Sequence, residues 1–150
     1  MHTMTAPLAD HLHAVPAARV APEVDPNAVA LSGLDCDITV GELDSWSNRL
    51  ARLLLQDGAG PGERIVIAID APIEELVAQR AVAKIGAVAV PAGRSARGER
   101  QGITTRQSRR EADGIMNWLV LDDRTTLRRY LTGSDAPLGA TDLPVARRAA

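Results

Sequence analysis

Apolar and polar positions first follow a strand pattern and then a helical one in the opening part of the chain. Short apolar stretches at Val29–Leu31 and Cys36–Ile38 flank a glycine-containing turn, which predicts a β-hairpin. Thr39 and Glu42 then match a helix N-terminal capping box, and leucines recur behind them at helical spacing as far as Asp57. The predicted apolar face of this helix contains Leu43, Trp46, Leu50, Leu53 and Leu54, and its other faces contain Asp44, Ser45, Asn48 and Arg52.

The next block of the pattern alternates strands with a helix. Ile65–Ile69 is an uninterrupted apolar run, which is typical of a strand covered on both faces of a parallel sheet. Pro72 suits the first turn of a helix that should end at Gly86, and Ala87–Val90 should form the next strand. This order predicts a βαβ unit with a right-handed crossover. Trp118–Leu121 is a third parallel-strand candidate, followed by a short helix.

The segment Arg94–Asp113 has no clear period. It carries six arginines against three acidic residues, and its second half is predicted to be helical. No aromatic residue is interleaved with the arginines, so the stacking surface of a single-strand nucleic-acid binder is missing. We expect a solvated or partner-facing surface here rather than nucleic-acid binding, and the role of residues 94–110 stays open.

The composition allows one globular domain with an aliphatic core. Hydrophobic residues make up 45% of the 150 residues, but aromatic residues are scarce. The formal net charge of −2 gives no reason to expect a nucleic-acid or membrane partner. No apolar run approaches the ~20 residues of a membrane helix, and the first residues lack a secretion signal, so a cytoplasmic location is expected. The predicted boundaries are a flexible arm at 1–27, an α/β subdomain at 28–131 and a flexible tail at 132–150.

The sequence gives little support for a catalytic thiol or for a metal site. Cys36 is the one cysteine, and the three histidines, His2, His11 and His13, all lie within the first 13 residues. Metal sites need clustered ligands, and a catalytic thiol needs a histidine nearby. We therefore expect Cys36 to be a half-buried strand residue and the histidines to be scattered along a flexible arm.

Two further patterns resemble a phosphate-binding loop and a pair of catalytic acids, but both have simpler interpretations. The glycine-rich stretch Gly58–Gly62 follows a helix and precedes a strand, whereas a phosphate-binding loop follows a strand and opens a helix. Glu74 and Glu75 are adjacent, so they point about 100° apart on a helix and make a poor acid–base pair. We expect a simple turn in the first case and a solvated helix face in the second.

Asp122, Asp123 and the only lysine, Lys84, complete the set of candidate residues. The two aspartates follow a strand at its carboxyl end, where ligands of open α/β sheets bind, but Asp123 is expected instead to cap the following helix. Lys84 lies in the last turn of a helix before Gly86. A cation there complements the negative end of the helix dipole, so Lys84 is predicted to be structural and not a phosphate ligand.

The order of motifs carries a family resemblance. Ile38–Leu43 stands where the adenylate-forming ligase superfamily has its Leu-Thr-Tyr-x-Glu-Leu motif, and Ser47–Ala51 and the Gly-x-x-Pro-Gly turn at Gly58–Gly62 follow as they do in that superfamily. Ala83–Pro91 is similar to its Leu-Lys-Ala-Gly-Ala motif. The chain therefore resembles the opening of this superfamily, nearest to nonribosomal peptide synthetase adenylation domains or acyl-CoA synthetases.

The resemblance implies an α/β fold: a partial parallel sheet of βαβ units with flanking helices and an N-terminal hairpin, forming an incomplete N-terminal subdomain. Complete members use ATP and Mg²⁺ to activate an amino acid or other carboxylic acid as an acyl adenylate. The family's Ser/Thr-Gly-rich phosphate loop, its Tyr-Gly-x-Thr-Glu motif, its ribose-binding aspartate and its catalytic lysine do not occur in these 150 residues. We therefore expect no catalytic, cofactor-binding or metal-binding residue here and no activity of the chain alone.

Three functions stay open. The first is a truncated or split adenylation module whose partner is the missing remainder of the enzyme. The second is a non-enzymatic remnant or protein-interaction subdomain, and the third is a small-molecule binding module that uses the carboxyl edge of the sheet. Unpaired strand edges and uncovered apolar surface also lead us to expect self-association or marginal stability. The sequence does not identify the acyl substrate.

Overall fold

Two β-sheets and three α-helices make up the part of the chain that the computed structural model describes, which is residues 23–33, 35–93, 96, 98–111, 115 and 117–144. The elements in chain order are β1 Val29–Ser32, β2 Asp37–Thr39, α1 Val40–Gln56, β3 Arg64–Ala68, α2 Pro72–Lys84, β4 Val88–Pro91, β5 Gln101–Thr104, β6 Asn117–Val120 and α3 Arg124–Thr132. The predicted α/β fold with an N-terminal hairpin is confirmed.

The hairpin leads directly into α1. Strands β1 and β2 pair antiparallel, with a register shift between Val29 and Leu31. The Thr39 side chain accepts a hydrogen bond from the Glu42 N–H at 3.1 Å, and the Glu42 carboxylate accepts one from the Thr39 N–H at 2.9 Å, which confirms the capping box. Gly58 follows the helix with a φ of 90°, a conformation that favours glycine, so the predicted end of α1 is also confirmed.

The second sheet is parallel throughout, in the order β4-β3-β5-β6. Alternate residues of its central strands face opposite sides. Ile65, Ile67 and Ile103 join the main core with α1 and α2, whereas Val66 packs on the other side with Trp118. The uninterrupted apolar run of β3 therefore reflects burial on both faces, as its sequence pattern predicts.

Strand β5 corrects the prediction for Arg94–Asp113. The middle of that segment, Gln101–Thr104, forms an unpredicted strand between β3 and β6, and the described part of its second half, expected to be helical, contains the short 3₁₀ helix Ser108–Glu111 and no α-helix. Gln101–Thr104 contains one large apolar residue and a glycine, so its own pattern is too weak to predict a strand. The strand beginning near Trp118 is consequently the fourth parallel strand and not the third.

The buried side of α1 also differs from its predicted apolar face. Trp46 is 38% exposed, whereas Asn48 is only 1% exposed. Asn48 tolerates burial because its amide nitrogen and oxygen each have a partner: it donates to the main-chain carbonyl of Asp135 at 2.9 Å and accepts from Lys84 at 2.6 Å. Apolar periodicity alone does not reveal such a buried polar position.

The described part of the predicted flexible tail lies against α1. The Ser45 hydroxyl donates to the Asp135 carboxylate at 3.0 Å, and the Asn48 amide donates to the Asp135 carbonyl. Arg52 donates to the Ala136 carbonyl at 3.0 Å and to the Asp142 carboxylate at 3.2 Å. Polar side chains of α1 thus hold this segment to the domain.

No helix in the described ranges is both long and apolar enough to cross a lipid bilayer.

Replacing Gly102 with alanine should lower the thermal midpoint of the protein. The added Cβ would lie 2.7 Å from Cε3 of Trp118, so the indole ring would have to move. Overpacking of this kind costs about 1–3 kcal/mol. Thermal denaturation followed by circular dichroism measures the effect. Gly133→Ala is the control, because Gly133 has a φ of −75° and a Cβ there has no neighbour closer than 3.4 Å; equal midpoints for the two variants would contradict the expectation.

Candidate functional site

A groove of about 550 Å³ opens at the carboxyl edge of the parallel sheet. Asp70 follows β3, Thr105 and Ser108 follow β5, and Asp122 follows β6, and all four line the groove. Open parallel sheets bind their ligands at this edge, and pockets for small molecules commonly have volumes of roughly 300–1,000 Å³. We name this cavity the edge groove.

The walls of the edge groove are largely apolar. Ile73 and Val77 of α2 contribute buried side chains, with 8% and 6% of their surface exposed. Trp46, Leu127 and Leu131 stand around the opening with 38%, 43% and 65% exposed. Large apolar side chains with this much exposure mark a surface that gains free energy when a ligand or partner covers it.

Tyr130 closes one side of the groove. Its hydroxyl donates to the main-chain carbonyl of Trp46 at 3.3 Å. Burial raises the pKa of Tyr130 to about 12, and the nearby Arg49 charge opposes that rise. The Arg49 guanidinium carbon lies 5.9 Å from the centroid of the Tyr130 ring. Tyr130 is therefore neutral at physiological pH and serves as a hydrogen-bond donor within the wall.

Hydrogen bonds between polar groups of the groove connect the loops that follow the strands. The Ser108 hydroxyl donates to the Asp70 carboxylate at 3.2 Å, and the Thr105 hydroxyl donates to the Ser108 hydroxyl at 3.1 Å. The Asp122 carboxylate accepts from the main-chain N–H of Arg106 at 2.8 Å. Asp122 thus ties the loop after β5 to the loop after β6, a contact that the sequence pattern does not indicate.

Asp123 caps α3, as predicted. Its carboxylate accepts from the N–H groups of Thr125 at 3.0 Å and Thr126 at 3.5 Å. The Arg106 guanidinium lies 3.6 Å from the other oxygen of Asp123. Asp123 therefore belongs to the helix terminus and not to the edge groove.

The helix N-termini near the edge groove do not suit a phosphate. Glu74 and Glu75 occupy the first turn of α2, and the Asp123 carboxylate already satisfies N–H groups of α3. Phosphate binds at a helix N-terminus through free N–H groups and a favourable dipole, and carboxylates there compete for both. Glu74 lines the groove, and Glu75 accepts a hydrogen bond from Gln79 at 3.3 Å.

The glycine-rich stretch connects α1 to β3, in the order expected for a turn. The N–H of Gly62 donates to the Gly86 carbonyl at 2.9 Å, so this connection packs beside the end of α2. It does not open a helix. Within the described residues, Gly58–Gly62 has the geometry of a structural turn.

Lys84 joins two helices. It is the last residue of α2, and its ammonium group contacts the Asp44 carboxylate and the Asn48 side-chain oxygen, the latter at 2.6 Å. The predicted position of Lys84 in the last turn of α2 is confirmed, and the structure adds its partners on α1. Helical periodicity does not reveal them because they lie 36 and 40 positions earlier in the chain.

The expectation for Cys36 was wrong. Cys36 is exposed and lies one residue before β2, where its carbonyl accepts from the N–H of Gly33 at 2.8 Å. The hairpin turn includes Cys36, so its side chain is not covered. His2, His11 and His13 lie outside the described residues. Among the residues that are described, no three His, Cys, Asp or Glu side chains are grouped as metal ligands.

Comparisons with known proteins agree on one family. The model of the AMP-binding enzyme family matches residues 18–112. Novobiocin biosynthesis protein H of Streptomyces niveus is 34% identical over 128 residues, which cover 71% of this chain and 21% of that protein. Malpibaldin synthetase of Mortierella alpina is 32% identical over 117 residues, which cover 78% of this chain and 2% of that protein. The chain thus spans only a small part of the relatives that it matches.

A solved structure shows the same fold. The AMPPNP-bound nonribosomal peptide synthetase FmoA3 superposes with a TM-score of 0.64 and 24% identity, over 76% of this chain and 13% of that one. At this level of identity the likeness concerns the fold. The parallel sheet, the hairpin and the helices therefore recur in a much longer protein.

Replacing Lys84 with methionine should destabilise the protein. The change leaves the side-chain oxygen of the buried Asn48 without its donor, which costs about 1–3 kcal/mol. Urea denaturation measures the loss. Asp44→Asn is the control: the Asp44 side chain is 58% exposed, so removing its charge should cost under about 1 kcal/mol. A Lys84→Met variant as stable as Asp44→Asn would show that the contact with Asn48 contributes little.

Tyr130 should ionise well above the pH at which a free tyrosine does. As the only tyrosine, it gives an unambiguous phenolate absorbance, which should appear near pH 12 in the folded protein and near pH ~10 in urea. Because the folded-state pKa is raised, the contribution of neutral Tyr130 to stability is complete below pH ~10 and is lost as the pH rises through about 12. The same transition in folded and unfolded protein would contradict burial of this hydroxyl.

Proposed function

Because the chain belongs to the family of AMP-binding enzymes, we propose that it forms the N-terminal portion of an enzyme that activates an amino acid or another carboxylic acid as an acyl adenylate. The observation that carries this proposal is the family match over residues 18–112, which contains both recognised motifs, Ile38–Leu43 and Ala83–Pro91. The acid is activated when its carboxylate attacks the α-phosphate of ATP and pyrophosphate leaves.

In this proposal the 150 residues form part of the fold of the enzyme and contribute no catalytic group. Catalysis of adenylation requires donors aimed at the phosphates and a cation that offsets charge on the departing pyrophosphate. The carboxylates at the N-termini of α2 and α3, including Glu74 and Asp123, oppose phosphate binding there. We propose that ATP, Mg²⁺ and the catalytic groups are held by polypeptide outside these 150 residues, whether on the same chain or on another.

The purified 150-residue chain should show no ATP–pyrophosphate exchange. The assay would test panels of amino acids, aryl acids and fatty acids, with a complete member of the family run in parallel as the positive control. The expected rate equals that of a mixture without the chain, because in this proposal the groups that bind ATP lie in polypeptide outside these 150 residues. Robust exchange by the chain alone, abolished by a single substitution in it, would contradict the proposal.

Co-expression tests whether the polypeptide encoded downstream restores activity to the chain. The DNA that follows codon 150, read in all frames, should encode the Ser/Thr-Gly-rich loop of the family, and its product should co-purify with the chain and restore exchange. A partner that co-purifies without exchange would favour the non-enzymatic interaction function instead. The two outcomes therefore separate a portion of an enzyme from an interaction subdomain.

A further inference from the structure

One exposed face of α3 carries apolar and basic side chains together. Arg124, Leu127, Arg128 and Leu131 follow one another at spacings of three or four positions, so they form a single stripe along the helix, which we name the α3 stripe. All four residues are exposed to solvent. Helices of soluble proteins usually turn such leucines toward the core, so the α3 stripe has the composition of a contact surface.

The stability of α3 does not account for the two arginines of the stripe. Arg124 is the first residue of the helix, where the helix dipole disfavours a positive charge. Among the ion pairs formed between described residues, none includes Arg124 or Arg128. Both guanidinium groups therefore remain available to carboxylates of another molecule.

The edge groove separates the α3 stripe from an acidic side. Leu127 and Leu131 line the groove from α3, whereas Glu74 lines it from the start of α2 and Asp70 from the loop after β3. Glu74 and Asp70 are exposed, and neither belongs to an ion pair within the described residues. The apolar groove thus has carboxylates on its α2 side and guanidinium groups on its α3 side.

We propose that the edge groove and the α3 stripe together form the interface of a homodimer. In a two-fold contact the same surface patch of both copies meets, and the two sides of the patch exchange places. The α3 side of one copy then faces the α2 side of the other. Guanidinium groups meet carboxylates at both ends of the contact, and the exposed leucines of each copy enter the apolar groove of its partner.

A second copy fits this surface better than a small molecule does. A small molecule within the groove would leave Arg124 and Arg128 uncovered, whereas a second copy covers the groove and the α3 stripe at once. Burial of Leu127 and Leu131 supplies the affinity, and the opposite charges on the two sides fix the orientation of the copies. Exposed ion pairs add little affinity, so the dimer is expected to be reversible.

Light scattering over a dilution series tests the proposal on the full 150-residue chain. We expect the mass to rise with concentration from 15.9 kDa toward twice that value. Leu131→Gln should weaken association about tenfold, because it removes an apolar contact at both ends of the interface. The matched control, Val88→Thr, alters an exposed apolar residue of the edge strand β4 and should leave association unchanged.

Two results of this experiment would overturn the proposal. One is a chain that stays at 15.9 kDa throughout the series. The other is a dimer that Val88→Thr weakens as much as Leu131→Gln does, because association would then use the strand edge instead of the groove.

Charge reversal identifies the two sides of the interface. Glu74→Arg and Arg128→Glu should each weaken self-association about tenfold, because like charges then meet. Mixing the two variants should restore a dimer, since the reversed charges complement each other at both ends. The matched pair, Glu63→Arg and Arg100→Glu, changes the net charge equally at exposed positions that do not line the groove, and each should associate as the wild type does.

The mixture also controls for damage to the fold. A mixture of Glu74→Arg and Arg128→Glu that stays monomeric, although each variant keeps the wild-type thermal midpoint, would overturn the proposal. Equal losses in the matched pair would do the same, because net charge alone would then explain them. If either groove variant melts early, the comparison of Leu131→Gln with Val88→Thr decides.

The polypeptide proposed to complete the enzyme is the competing occupant. A chain that is monomeric alone, and whose α3 amides gain protection from hydrogen exchange only when the downstream polypeptide is co-expressed, would assign the groove to that polypeptide and overturn the homodimer. The mass measurements need no pyrophosphate exchange, and the exchange assay needs no dimer. The two proposals therefore fail separately.

Discussion

Burial of β3 on both faces is the constraint on which the rest of the domain depends. Ile65 and Ile67 need cover on one side and Val66 needs it on the other. Helices α1 and α2 supply the first layer, and Trp118, which packs against Gly102, contributes to the second. Because the sheet is parallel, each strand must be followed by a return connection, and the loops after β3, β5 and β6 all gather at one edge. The edge groove is a direct consequence.

A polar network fixes the layer of helices. Lys84 on α2 contacts Asp44 and Asn48 on α1, and Asn48 in turn holds the main chain of Asp135. One buried amide therefore connects two helices and the segment that follows α3. Polar groups buried in this way stabilise one arrangement of the helices over others, because any other packing would leave the amide without its partners.

Acidic residues lie at the starts of two helices near the carboxyl edge of the sheet. Glu74 lies in the first turn of α2, and the Asp123 carboxylate accepts hydrogen bonds from the N–H groups of Thr125 and Thr126 at the start of α3, so carboxylates complement the positive ends of both helix dipoles. The groove beside them has largely apolar walls, and the exposed Trp46 and Leu131 provide a surface that a ligand or partner would cover.

The amino-acid sequence by itself determined the elements whose signals are local. The capping box of Thr39 and Glu42, the apolar run of β3 and the cap formed by Asp123 each depend on residues within a few positions of one another, so their pattern is sufficient.

The tertiary structure alone decided the position of β5, the exposure of Trp46, the burial of Asn48 and the composition of the edge groove. A four-residue strand with one large apolar side chain is stabilised by its neighbours, and Asn48 is buried because partners 36 and 87 positions away satisfy it. Contacts at such separations are set by how the layers pack, and no local pattern records them.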